Sequence, residues 1–171
     1  MKQTLLDVIE SISRVIGSVS GTIGGFIIFA MTMLITIDVL GRYLFSKPTM
    51  VATEISGYML VGITFLGLAF TQRQGRNVEI IMLTQKLSKK LQKQIRTVNL
   101  VVSVAVALWL TWATTTPVIE NYTFHRISIT ELRTPMWIPW LMVPAGAFML
   151  TIELVVELYK EIVSLRKSRS I

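Results

Sequence analysis

Four stretches of the 171-residue chain contain no Asp, Glu, Lys or Arg: 15–37, 55–72, 97–119 and 134–152. A hydrocarbon core of about 30 Å needs roughly 20 apolar residues per crossing helix. Each stretch meets that length alone or with its flanks. Lipid offers backbone amides no hydrogen-bond partner, so each crossing segment must satisfy its own peptide groups as an α-helix. The sequence predicts an all-α membrane protein with four transmembrane helices. Hydrophobic residues at 52% of the chain agree with that class. The spans consume most of the length, so no room remains for a separate soluble domain. The N-terminal apolar run is span-length and lacks a small-residue cleavage pattern, so no signal peptide is expected.

The charge pattern sets an expected orientation. Thirteen of the 17 lysines and arginines fall in the two tails and the second connection, and four in the first and third connections. The positive-inside rule then puts both termini in the cytoplasm. Tyr43, Phe45, Trp112, Tyr122, Phe124, Trp137 and Trp140 gather near the other ends of the spans, as an interfacial aromatic belt does. The net charge of +7 reads as topology signal and contact with anionic lipid rather than nucleic-acid binding, because no recognition motif accompanies it.

Within this frame the predicted organisation is a single four-span domain. An amphipathic N-terminal helix covers 1–17, with Leu5, Ile9, Ile12 and Ile16 on one face; it lies at the cytoplasmic surface before turning into span one, 18–45. Span two covers 50–73. A basic amphipathic connector helix, 78–96, leads directly into span three, 97–119. Span four covers 135–158, and a basic tail, 159–171, completes the chain. In the connector, Leu83, Leu87, Leu91 and Ile95 recur every fourth residue. Lys86, Lys89, Lys90 and Lys93 occupy the rest of the wheel, so this helix is expected to lie along the cytoplasmic leaflet with its lysines toward anionic lipid.

Several residues within the spans carry structural chemistry. Gly17, Gly21 and Gly25 repeat every fourth residue and permit close backbone approach, either inside the chain or against a partner. Asp38 and Arg42 stand i, i+4 near the outer end of span one and are expected to pair, which lowers the cost of burying either. Glu54 complements the N-terminal dipole of span two and is also within reach of Arg42 across the turn at Pro48. Arg73, Gly75 and Arg76 mark the end of span two, where glycine terminates a helix and basic groups suit its C-terminus. Pro139 and Pro144 predict a bent start to span four. Glu153, Glu157 and Glu161 form an acidic stripe expected to pair with Arg73, Arg76 or the connector lysines.

Other chemistries lack their residues. There is no cysteine and one histidine, His125, which excludes thiol chemistry and a bis-histidine haem in a monomer; His125 reads as a solvated loop residue. No nucleophile–base set, metal cluster or phosphate loop is present, so neither enzyme activity nor a cofactor is expected. An autonomous small homo-oligomeric carrier or channel is the alternative reading, with Asp38 and Glu54 as its ion ligands. Against it, the spans carry almost no charge and no pair of interrupted helices.

Three stretches carry a resemblance. They are Val39-Leu-Gly-Arg42-Tyr43-Leu-Phe45 running into Glu54-Ile-Ser-Gly57-Tyr58, then Phe65-Leu-Gly67-Leu-Ala-Phe-Thr-Gln-Arg73-Gln-Gly75-Arg76-Asn77-Val78, then Thr134-Pro135-Met-Trp137-Ile-Pro139-Trp-Leu-Met-Val-Pro144-Ala-Gly146. In this order they resemble the DctQ-type small membrane subunit of TRAP (tripartite ATP-independent periplasmic) transporters. Asn77 stands where that family commonly has histidine, which removes any role needing an imidazole there. The resemblance implies a bacterial inner-membrane protein without a transport site of its own. Its partners would be a large multi-span subunit that carries sodium and an organic acid by an elevator motion, and a periplasmic substrate-binding protein. The substrate type implied is a C4-dicarboxylate or a sialic acid. The small subunit would brace the large one, and its outer loops would help the binding protein dock.

Overall fold

A computed structural model describes residues 2–45, 50–74, 88–130 and 132–169. The described residues form four long helices: α1 (Lys2–Phe45), α2 (Met50–Arg73), α3 (Lys89–Thr123) and α4 (Trp137–Arg169). All four contain a segment long and apolar enough to cross a membrane: Gly17–Leu44, Val51–Arg73, Leu91–Thr123 and Trp137–Ser164. The predicted all-α, four-span class therefore stands.

The helix boundaries differ from those predicted. The sequence places a turn between an N-terminal surface helix, 1–17, and span one. Instead α1 runs unbroken for 44 residues, about 66 Å at 1.5 Å per residue. No proline interrupts it, and glycine in a helix interior costs only about 1 kcal/mol relative to alanine, so helical hydrogen bonding simply continues past Gly17 and Gly21. The last turns of the predicted connector behave in the same way. Lys89 and Lys90 open α3, which continues through Leu91, Lys93 and Ile95 into the span. Gly75, Arg76, Leu83, Lys86 and Leu87 lie outside the described residues. At span four, Pro135 does not start the helix. It sits in an antiparallel bridge with Ile127, and α4 begins at Trp137. Pro139 falls in the first turn of α4, where an amide would have no helical partner to lose. At its far end α4 stays helical through Arg169, well into the predicted basic tail.

The helices pack as a row and not as a closed bundle. α1 packs on α2, α2 on α4 and α4 on α3, with a slighter contact between α1 and α4. Burial follows this order. In the most apolar window of each span, 39% of α4 is buried, against 6% of α1 and 11% of α2 and α3. α4 is therefore the spine of the layer. Its contact with α3 is built on Leu100, Ala107 and Leu154, with Val104, Leu150 and Leu158 around them. A hydrogen bond between the Thr111 and Thr151 hydroxyls, 3.3 Å apart, crosses the same seam. The slighter α1–α4 contact includes the buried Ser20, whose hydroxyl lies 3.6 Å from Met149 Sδ.

Candidate functional site

What this chain offers a partner is set by its helix seams, by a polar cluster at each end of the layer, and by the surfaces the seams leave open. The seam in which one helix meets the backbone of another is between α2 and α4. A Cβ added to Gly146 would lie 2.5 Å from Phe65 Cβ and 2.8 Å from the Phe65 carbonyl carbon. Those neighbours include backbone, which no rotamer change can move. The α1–α2 seam closes near the tail end. There Gly17 lies under the Arg73 side chain, and a Cβ on Gly21 would meet Phe70 Cε2 at 2.6 Å. Gly25, the third glycine of the repeat, meets nothing among the described residues within 4 Å. Successive residues four apart drift about 40° around a 3.6-residue helix, so by Gly25 the repeat has turned out of the seam.

At the tail end, the acidic stripe of α4 faces α3 and α2. Arg96 Nη2 stands 3.2 Å from Glu157 Oε1, and Arg96 Nε stands 3.6 Å from Glu161 Oε2. Gln72 Nε2 donates to the other Glu157 oxygen at 2.5 Å. One carboxylate thus ties three helices together. Glu153, one turn earlier, is buried. The sequence analysis expects this stripe to pair with Arg73, Arg76 or the connector lysines, of which Arg76 and Lys86 lie outside the described residues. For Glu157 and Glu161 a guanidinium comes from Arg96, because α3 continues straight through it beside α4.

At the hairpin end, Arg42 Nη2 donates to Asp38 Oδ2 at 2.7 Å; the Asp38 side chain is buried and that of Arg42 is half exposed. This i, i+4 pair is the predicted one. It lines a cleft of about 460 Å³ between α1 and α2 together with Ile35, Val39, Ala52, Thr53 and Ser56. Among the described residues Glu54 does not pair with Arg42. It accepts hydrogen bonds from the Tyr58 hydroxyl at 2.5 Å and from the Thr130 hydroxyl. Thr130 belongs to the α3–α4 connection, so Glu54 clamps that connection onto α2. Glu54 and Tyr58 share one helix face at i, i+4 spacing, which was legible beforehand; Thr130 lies 76 residues away in sequence and carried no signal.

Two further features bear on function. α2 and α3 both flank α4 without packing extensively on each other, and this leaves a groove of about 590 Å³ floored by Leu150 and Leu154. Its walls include the small residues Thr64, Gly67, Ser103 and Ala107. Among the described residues no group of three or more His, Cys, Asp or Glu is placed to hold a metal ion.

Comparison with protein families gives a match. Residues 31–163 fit the model of the DctQ component of tripartite ATP-independent periplasmic transporters. The chain belongs to the DctQ family. A search of curated proteins found no match. DctQ proteins are the small membrane component of TRAP transporters and work with a large membrane subunit and a periplasmic binding protein. The family is a transporter component and not an enzyme. With four apolar helices, this DctQ chain is a multi-pass protein of the bacterial inner membrane. The matched region runs from within α1 to within α4, so it contains both polar clusters and the Gly146 seam, while Gly17, Gly21 and Gly25 precede it.

Proposed function

We propose that this DctQ chain is the scaffold subunit of a sodium-coupled TRAP transporter for organic acids, of the C4-dicarboxylate or sialic acid type. It braces the large elevator-type subunit and helps the periplasmic binding protein dock. The observation that carries this reading is the open row of helices. A carrier must wall its path on all sides, whereas here α4 alone is substantially enclosed and α1, α2 and α3 keep most of their span surface open. Such a layer has broad flat faces to lay against a larger membrane body. The glycine-tight seams and the Glu157–Arg96–Gln72 tie resist shear within it.

Both termini are cytoplasmic in this reading, from the distribution of lysines and arginines. The connector lysines Lys86, Lys89, Lys90 and Lys93 then face the anionic cytoplasmic leaflet, each adding about 1 kcal/mol of attraction near the surface. Gly25 and the groove between α2 and α3 are open to the large subunit.

Uptake in proteoliposomes under a sodium gradient tests the proposal. Three preparations are compared: this chain alone, the chain with its large partner, and both with the binding protein. Uptake only from the full set is expected. Uptake by this chain alone, abolished in Asp38→Asn, would refute the scaffold role in favour of an autonomous carrier.

A further inference from the structure

The α3–α4 connection is a built hairpin. Met136 N–H donates to the Arg126 carbonyl and Ser128 N–H to the Thr134 carbonyl, both at 2.9 Å, and Ile127 bridges Pro135 between them. His125 (φ 46°) and Arg133 (φ 47°) hold left-handed conformations at its bends. Non-glycine residues occupy that region only when their surroundings fix them. The surroundings here are the Ser128–Thr130 hydroxyl contact at 2.7 Å, the Thr130 bond to Glu54, and the approach of the Tyr58 hydroxyl to Met136 Sδ at 3.8 Å.

That tether fixes the depth of the hairpin. Glu54 is the last charged residue before the charge-free stretch of α2, and Tyr58 lies one turn further in. A hairpin whose tip is tied to Glu54 and whose base touches Tyr58 does not stand off in water; it lies where the apolar slab begins. At that level it displays Ile129 completely (105% exposed), along with Ile127 (54%) and Leu132 (40%). Arg126 and Arg133 bracket a segment that holds these three aliphatic residues and one acid, Glu131, which lies outside the described residues; both arginines are exposed and form no ion pair with any described residue. The Arg126 guanidinium rests 5.6 Å from the Phe124 ring centroid. Tyr122 packs edge-on to Trp137, with ring centroids 5.8 Å apart, at the foot of the hairpin. Aliphatic tips between arginines, over an aromatic base and at the edge of the slab, match the layered chemistry of a lipid interface. Acyl chains take the aliphatic groups, phosphates take the guanidiniums, and tyrosine and tryptophan sit between.

We propose that this hairpin is seated in the headgroup layer of the membrane, with Ile127, Ile129 and Leu132 in the upper acyl region and Arg126 and Arg133 on lipid phosphates. It acts as an interfacial foot that sets the depth of α2 and α4. The inference depends neither on which leaflet lies at this end nor on the scaffold reading.

The chain has no native cysteine, so Ile129→Cys gives a single labelling site, with Leu132→Cys as a second should the first disturb folding. Each variant is co-purified with its large partner, labelled with an environment-sensitive fluorophore and placed in liposomes. Some liposomes carry a nitroxide lipid labelled near the glycerol, others one labelled near the chain terminus. The expected result is blue-shifted emission, strong quenching by the shallow nitroxide, weaker quenching by the deep one, and no change on adding the binding protein. Adding Glu54→Ala to either variant should raise quenching by aqueous iodide. Free access of iodide without lipid quenching would overturn the proposal, because the tip would then stand in water. Lack of quenching from either phase in the complex, or a spectral change on adding the binding protein, would overturn it in favour of a protein interface.

Discussion

Replacing Gly146 by alanine adds one methyl group where α4 meets the backbone of α2. The new carbon would sit 2.5, 2.8 and 2.9 Å from Phe65 Cβ, carbonyl carbon and carbonyl oxygen. Optimal contact between non-bonded carbons is about 3.5–4.0 Å. Two of the three crowding atoms belong to the peptide backbone, so α2 and α4 must part by roughly 1 Å over this crossing. Overpacking of this kind costs about 1–3 kcal/mol. In a free helix the same change would be favourable by up to about 1 kcal/mol. Gly57 provides the control, since nothing among the described residues lies within 4 Å of a Cβ there. Purified chain in mixed micelles is titrated with denaturing detergent, and unfolding is followed by the fluorescence of its four tryptophans on α3 and α4. Net of that gain, Gly146→Ala should lower the free energy of unfolding by up to about 3 kcal/mol, where each 1.4 kcal/mol is a tenfold change, while Gly57→Ala should leave it unchanged or raise it by less than about 1 kcal/mol. Equal behaviour of the two variants would refute the claim that backbone proximity at Gly146 fixes the α2–α4 crossing.

Arg96→Gln should weaken the tail-end cluster only modestly, by about 0.2–1 kcal/mol, because the guanidinium is half exposed and screened; the same detergent titration at low and high salt should show the loss fading as salt rises. Thr111→Val and Thr151→Val, combined in a double-mutant cycle, should give a coupling of about 0.6 kcal/mol, the average for hydrogen bonds between membrane helices, and a coupling near zero would mean that each hydroxyl is sufficiently served by its own helix carbonyl. Asp38→Asn should leave transport by the complete complex in place once protein amounts are matched, since the Asp38–Arg42 pair holds a cleft edge and lines no walled path; sodium-dependent uptake measured in proteoliposomes would decide it.

Number and class of elements were legible because membrane helices announce themselves by the absence of charge, and the periodicity of Asp38 and Arg42 predicted a pair that forms. Boundaries were less legible. Amphipathic residues such as Leu91, Ile95 and Lys93 suggested a separate surface helix, yet an α-helix ends only where its hydrogen bonding is interrupted, and nothing in 89–97 interrupts it. The pairing of helices was least legible. Gly17, Gly21 and Gly25 look equivalent in sequence, but only the first two lie in the seam. Gly146, the glycine crowded by another helix's backbone, stands alone among Pro144, Ala145 and Ala147 with no repeat to mark it. Contacts such as Glu54–Thr130 and Arg96–Glu157 join residues 76 and 61 positions apart, and no local pattern encodes a distance of that kind.

The open row also shows why hydropathy cannot separate lipid-facing from partner-facing surface in such a chain. Lipid tails are as apolar as leucine, so a helix gains little from hiding its aliphatic side chains against another protein. The exposed residues Phe26, Met33 and Ile37 of α1 are at home in lipid and demand nothing. Thr22, Thr32 and Thr36 of α1 demand equally little. Thr22 donates to the Ser18 carbonyl, Thr32 to the Ile28 carbonyl and Thr36 to the Thr32 carbonyl, at 2.7–2.9 Å. Each hydroxyl is satisfied within its own helix, so exposed polarity alone does not mark an interface here. What distinguishes one surface from another is shape: Gly25 and Gly67 leave room for a close approach, whereas Phe26 and Met33 hold a neighbour at a distance. On the scaffold reading, a face laid against the large subunit would be selected by the room it leaves for another backbone, the criterion that Gly146 meets inside the layer.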